Sequence, residues 1–223
     1  YKHKFSTVQE NKLYIVENGF DETNWRRLEG YKPSTQSPFN KNKFSLFYSG
    51  VLYPNGRNPM PLFEALSTLK AKNIVTRDSF ELVFQGTGDG EKFTSILSEL
   101  DIVDLVKFTS KVPYLDSLYY MKAADALTLI QDEVFNMQVP GKLYEYFRTG
   151  RPVLAIAPNE SATAKVAGTY QLSKTSNDSS NIALIICDWI KNATQTHNSE
   201  DLQHFSRYTK TAEFADIFDF ASN

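Results

Sequence analysis

From Phe44 onward the chain alternates short apolar runs with stretches of helical periodicity, and few folds accommodate that pattern. Residues 44–49, 80–85, 103–108, 126–130 and 153–157 are apolar runs of strand length. The first two stop at Gly50 and Gly86. Between the runs, apolar residues recur at helical spacing: Leu62, Phe63, Leu66 and Leu69, then Phe93, Ile96, Leu97 and Leu100, then Leu115, Leu118, Tyr119 and Met121 after Pro113. A helix over 141–149 separates the last two strands. A helix near 162–167, a short strand near 170–172 and a helix over 181–192, capped by Asp178 or Ser179, complete the pattern. Strict alternation predicts an α/β domain with a Rossmann-like parallel sheet and helices on both faces. Such sheets bind ligands beyond the carboxyl ends of their strands, where Gly50, Gly86 and the 131–142 segment fall.

The flanks read differently. Residues 1–12 are polar, 12–16 alternate as a short strand would, and Asn18-Gly19 is a turn pair. Residues 29–43 are rich in turn formers and read as a linker. The expected organisation is an N-terminal arm and linker over 1–43, a main domain over 44–200, and a terminal helix over 201–223. That helix carries Leu202, Phe205, Tyr208, Phe214, Ile217, Phe218 and Phe220, more aromatic surface than a terminal helix needs. It is expected to pack on a region outside this chain. The first residue is Tyr, so a piece of a longer protein is expected.

Composition closes off several functions. The net charge of −2 is well mixed along the chain, unlike the basic excess of a nucleic-acid binder. A single cysteine, Cys187, lies in an apolar run and excludes an internal disulfide framework. His3, His197 and His204 are scattered and match no metal spacing, so no metal is expected. No apolar run reaches the roughly 20 residues of a membrane span, and no signal peptide is expected.

The chemistry concentrates in residues 139–157, Val-Pro-Gly-Lys-Leu-Tyr-Glu-Tyr-Phe-Arg-Thr-Gly-Arg-Pro-Val-Leu-Ala-Ile-Ala. Pro140-Gly141 suits a helix start, and Gly150 followed by Pro152 suits its end. The opening amides, at Gly141, Lys142 and Leu143, favour a phosphate. Glu145, one turn in, can accept hydrogen bonds from sugar hydroxyls. Lys142 and Glu145 are also three apart on one helix, and a surface ion pair is the plainer alternative. Gly50 and Arg57 bracket a strand-end loop that suits a diphosphate, since a close backbone approach is joined to a cation. Gly86-Thr-Gly88-Asp-Gly90 fails the dinucleotide spacing and reads as a strand-to-helix turn. Asp132 and Glu133, after the 126–130 strand, either contact a sugar or cap a loop.

In this order the segments resemble the C-terminal, donor-binding half of a GT-B glycosyltransferase, close to family 4. Asn18-Gly-Phe-Asp21 is similar to the family's passage between domains. Tyr48-Ser-Gly50 with Arg57 resembles its first strand-end loop, and Gln85-Gly86-Thr-Gly88 the second. Lys111-Val112-Pro113 resembles the loop whose backbone reads the base. Pro140-Gly-Lys-Leu-Tyr-Glu145-Tyr with Gly150-Arg-Pro resembles its most specific motif, in which the glutamate binds ribose. Two departures stand out. Met137 replaces the first of the two glutamates many members carry, leaving Asp132, Glu133 and Asn136 as sugar-contact candidates. Val51 replaces an Arg, leaving Arg57 as that loop's basic contact. The resemblance implies retaining transfer from a nucleotide sugar, without cofactor or essential metal, in bacterial surface polysaccharide or lipopolysaccharide synthesis. It also implies an absent N-terminal acceptor domain, no sugar transfer by this chain alone, a C-terminal crossover helix, and a cytoplasmic enzyme, peripheral to the inner face of the membrane. A sugar-nucleotide epimerase and a non-catalytic interaction module of the same fold are the alternatives.

Overall fold

A computed structural model describes residues 12–52, 55–88, 90–192, 196 and 199–222. The elements in chain order are α1 (Glu22–Arg26), β1 (Phe44–Ser49), α2 (Met60–Ala71), β2 (Phe80–Gln85), α3 (Thr94–Glu99), β3 (Val106–Thr109), α4 (Tyr114–Ala123), β4 (Ala126–Ile130), α5 (Gly141–Arg148), β5 (Val153–Ile156), α6 (Ala162–Ala167), β6 (Ser173–Thr175), α7 (Ser179–Lys191) and α8 (Arg207–Ser222). The six strands form one parallel sheet in the order β3-β2-β1-β4-β5-β6. This is the doubly wound, Rossmann-like order, with its switch point between β1 and β4.

Both faces of the sheet are buried, as the apolar strands require. On one face Leu46, Phe80, Leu82, Phe84 and Leu154 pack against α2, α3 and α7. On the other, Phe47, Val83, Leu127 and Val153 pack against α4, α5 and α6. Asp178 caps α7, accepting from the Asn181 amide at 2.8 Å.

Several expectations shift. No strand forms over 12–16; Ile15 is 90% exposed, and alternation without a neighbouring sheet edge creates no ladder. β3 starts three residues later than the apolar run beginning at Val103, because Val103 lies exposed in the turn before it. β6 follows the apolar residues at 170–172 instead of containing them. As an edge strand it pairs only with β5, while Tyr170 packs tilted against Phe147, ring centroids 4.6 Å apart. The expected 201–223 helix is interrupted. A 3-10 stretch (Ser199–Phe205) precedes α8, and between them the backbone turns to Phe20, whose amide donates to Phe205 at 3.1 Å and whose carbonyl accepts from Arg207 at 2.8 Å. Leu202 and Phe205 are buried against α5, whereas Phe214, Phe218 and Phe220 of α8 stay exposed. His3, Asp89 and His197 lie outside the described residues.

Residues 29–43, which read as a linker, are held along the domain as a strap. The Asp116 carboxylate of α4 is fully buried and accepts from Tyr31 Oη (2.5 Å), both Ser34 donors (2.9 and 3.2 Å) and both Thr35 donors (2.7 and 2.9 Å). Further along, the Asn40 amide donates to Glu81 at 2.6 Å, and Phe39 packs edge-on against Phe47.

Candidate functional site

The connections from β1 and β4 leave in opposite directions, which opens a crevice at the carboxyl end of the sheet. α5 begins there. Pro140 arrives in an extended conformation (φ −64, ψ 132) and the helix starts at Gly141. Its first amides have no carbonyl within the helix to reach, so Gly141 and Lys142 offer N–H groups at the positive end of the dipole. The Leu143 amide instead donates to the Pro140 carbonyl at 2.9 Å, and its side chain is fully buried. At the other end Gly150, at φ +72, terminates α5 in the left-handed conformation that glycine tolerates best.

Lys142 folds back over the end of β1. Its ammonium donates to the Ser49 carbonyl and fills the space above Gly50, where a Cβ would collide with it. Burial pushes its pKa down to about 8, against the opposing pull of Glu145. The surface ion pair between Lys142 and Glu145 is therefore not what forms. Glu145 accepts instead from the Tyr114 hydroxyl at 2.7 Å, across from the first turn of α4. Desolvation and this bond to Glu145 push the Tyr114 phenol above its ordinary range.

A cavity of about 380 Å³ occupies the crevice. It brings together Gly50, Lys111, Val112, Lys142 and Glu145, five of the residues singled out from sequence, drawn from the ends of β1 and β3 and from α5. Gly86 also lines it, with φ +67 and Lys111 in van der Waals reach of where a Cβ would lie. Ser49, Gln85, Tyr114 and Ser117 line it as well and were not expected. Polar residues at strand ends or in a helix's opening turns were the only signal for them.

The remaining candidates, Gly141 and Leu143 at the start of α5 among them, lie outside the cavity wall. Arg57 donates through Nη1 to the Val51 carbonyl at 2.6 Å, folding its loop onto the β1 end. Asp132 accepts from the Asn58 amide at 3.0 Å and donates its own amide to Gly56 at 2.9 Å. This is the loop-capping alternative for Asp132. Glu133 is exposed in a 3-10 turn (Glu133–Phe135). Asn136 accepts through its carbonyl from the Ala162 amide at 2.7 Å.

Known structures share this architecture. Anabaena HepE, crystallised in complex with UDP-glucose, matches with a TM-score of 0.66 and 17% identity over 96% of this chain and 59% of that one. The fold is Rossmann-like α/β, as in GT-B glycosyltransferases. WaaG, a glycosyltransferase involved in lipopolysaccharide biosynthesis, matches with a TM-score of 0.55 and 17% identity over 86% of this chain and 45% of its own. A UDP-N-acetylglucosamine 2-epimerase assignment in Listeria monocytogenes matches with a TM-score of 0.54 and 13% identity over 98% and 56%. This chain thus spans roughly half the length of these structures. No family model and no curated protein matches the sequence.

Proposed function

We propose that this chain is the nucleotide-sugar donor-binding part of a glycosyltransferase, acting with retention and without an essential metal. The observation that carries this is the cavity of about 380 Å³ at the carboxyl ends of β1, β2 and β3, lined from the opening turns of α5 by Lys142, with its buried ammonium, and by the Glu145 carboxylate. HepE, of the same fold, holds UDP-glucose, which supports a nucleotide sugar as the ligand class here.

The physical division of labour is as follows. The diphosphate lies against the Gly141 and Lys142 amides and the Lys142 ammonium. As the sugar departs, negative charge grows on the diphosphate, and these preorganised donors offset it. Arg57 orders the loop beside Gly50. Glu145 exchanges its bond with Tyr114 for the ribose hydroxyls, and the 111–112 backbone faces the base. Asp132, Glu133 and Asn136 lie near the sugar end, and Met137 replaces the acid that would face the sugar. The acceptor binds to a domain outside this chain, so the isolated chain binds donor and transfers no sugar. In this reading the enzyme works on bacterial surface polysaccharide or lipopolysaccharide at the inner membrane face. Among the described residues no helix is long and apolar enough to cross a membrane.

The test is a thermal-shift and calorimetric screen with UDP, GDP, ADP, CMP and their sugars. One nucleotide class raises the melting temperature, since a ligand at 100 times its Kd adds about 2.7 kcal/mol. Glu145→Ala is expected to weaken that ligand at least tenfold. No stabilisation by any nucleotide refutes the proposal.

The Listeria neighbour favours a second reading, a sugar-nucleotide epimerase. The titratable groups on the cavity wall are Lys111, Tyr114, Lys142 and Glu145. Epimerisation predicts solvent deuterium entering the sugar ring; transfer predicts none. Nucleotide binding with neither activity, in the full-length protein, points to a non-catalytic module.

A further inference from the structure

Gln85 ends β2 and is 3% exposed, yet its side-chain Oε1 receives no hydrogen bond from the protein. Its neighbours on the same cavity floor are satisfied. The Ser49 hydroxyl meets Ser117 Oγ at 2.9 Å, and the Ser49 amide donates to Tyr146 Oη at 3.1 Å. A buried acceptor left without a donor is costly, and native proteins retain few of them. This one lines the candidate donor cavity.

We propose that Gln85 determines specificity in this site, its side-chain amide accepting a hydrogen bond from the nucleobase of a nucleoside diphosphate. The inference rests on the donor-site reading above and adds the residue that selects the base. Three observations place the contact at the base. In register, Gln85 lies between Ser49 of β1 and Thr109 of β3 and shares a sheet face with both, one strand from the diphosphate corner and one strand from the β3 loop. The Ser49–Gly50–Lys142 corner holds the buried ammonium, and an ionised diphosphate seated there presents only acceptors, which cannot satisfy Oε1. Glu145, a charged acceptor, competes for the ribose hydroxyls. Next to Gln85, a Cβ on Gly86 would meet Lys111, in the loop that leaves β3, two strands along the sheet from the β1 end where the Lys142 ammonium sits. An N–H on a base edge is the remaining donor of a nucleoside diphosphate, and the adjacent Nε2 can donate to the acceptor beside it.

The experiment titrates UDP, CDP, GDP and ADP by calorimetry against the wild-type chain, Gln85→Met and Gln85→Glu. Wild type is expected to favour one base by at least about tenfold, the size of one net hydrogen bond. Gln85→Met, which preserves length and removes both polar atoms, is expected to bring all four within about threefold, mainly by weakening the preferred nucleotide. Its unliganded melting temperature is expected to equal or exceed that of wild type, because an unmet acceptor is gone. Gln85→Glu keeps an acceptor and tests the contact if the Met variant fails to fold: preference for an N–H-bearing base persists. Equal weakening of all four nucleotides overturns the proposal and assigns Gln85 to the common ribose-phosphate part. An unchanged preference in Gln85→Met also overturns it. Binding of none of the four by wild type removes the donor-site reading itself, and this inference with it.

Discussion

Replacing Asp116 with Asn tests whether the 29–43 strap is part of the folded domain. The native carboxylate is fully buried and accepts five hydrogen bonds from Tyr31, Ser34 and Thr35. Burial alone would raise its pKa. The bonds from Tyr31, Thr35 and Ser34 outweigh burial and hold the carboxyl well below the usual carboxylate range. Asn keeps the volume and one acceptor oxygen but loses the charge and turns an NH₂ toward existing donors. Hydrogen bonds to a charged group contribute about 1.5–3 kcal/mol each. Ser34 lies at the surface, and Tyr31 and Thr35 are half-buried, so water recovers part of the loss. The net expectation is about 2–4 kcal/mol at pH 7, or a melting point lower by roughly 5–15 °C in a chain of this length. The pH dependence has a definite sign. A depressed native pKa stabilises the fold above the unfolded value, about 3.9, and that contribution is lost as pH falls through the native value. Wild type therefore loses stability steeply below about pH 4, and Asp116→Asn loses less over the same window. Denaturant unfolding followed by circular dichroism, at pH 7 and through the acid range, measures both. A change under about 0.5 kcal/mol at pH 7, or acid slopes that coincide, refutes the reasoning.

Other expectations follow from the same geometry. Phe205→Ala removes a buried ring packed 4.8 Å from Phe147 and is expected to cost about 3–5 kcal/mol in denaturant unfolding; a cost below 1 means the C-terminal segment does not dock on α5. Gly50→Ala places a Cβ on the Lys142 ammonium at φ +126, so nucleotide binding and melting temperature should both fall. An unchanged affinity would show that the cation's position is unimportant. Because the Lys142 pKa is pushed down to about 8 and a bound diphosphate favours the charged form, nucleoside-diphosphate affinity is expected to decline as pH rises past 8. Lys142→Met should bind more weakly and lose that decline, which calorimetry between pH 7 and 9.5 would reveal.

Much of this architecture was legible because local chemistry and periodicity govern it. Phe44–Ser49, Phe80–Gln85 and Ala126–Ile130 are strands over the lengths their apolar runs predict. Pro140-Gly141 opens α5 and Gly150 closes it, since proline restricts the approach and glycine accepts a positive φ. The misplaced elements are those whose fate depends on a neighbour. The 12–16 alternation found no sheet edge, and β6 is a polar edge strand. Ser206 breaks the terminal helix because the adjacent backbone pairs with Phe20.

By itself the amino-acid order determined a parallel sheet covered on both faces and a helix that opens at Pro140-Gly141, because both follow from side-chain period and backbone preference within a few residues. Only the tertiary structure decided the partners. Lys142 reaches Ser49, 93 positions away, in place of its helical neighbour Glu145, which takes Tyr114, 31 positions away. Gln85 comes to lie on the cavity floor without a donor, and Asp116 gathers a strap more than 80 residues upstream. These pairings depend on which strand ends the β3-β2-β1-β4-β5-β6 order makes adjacent, and adjacency in space is not encoded in any local window of sequence.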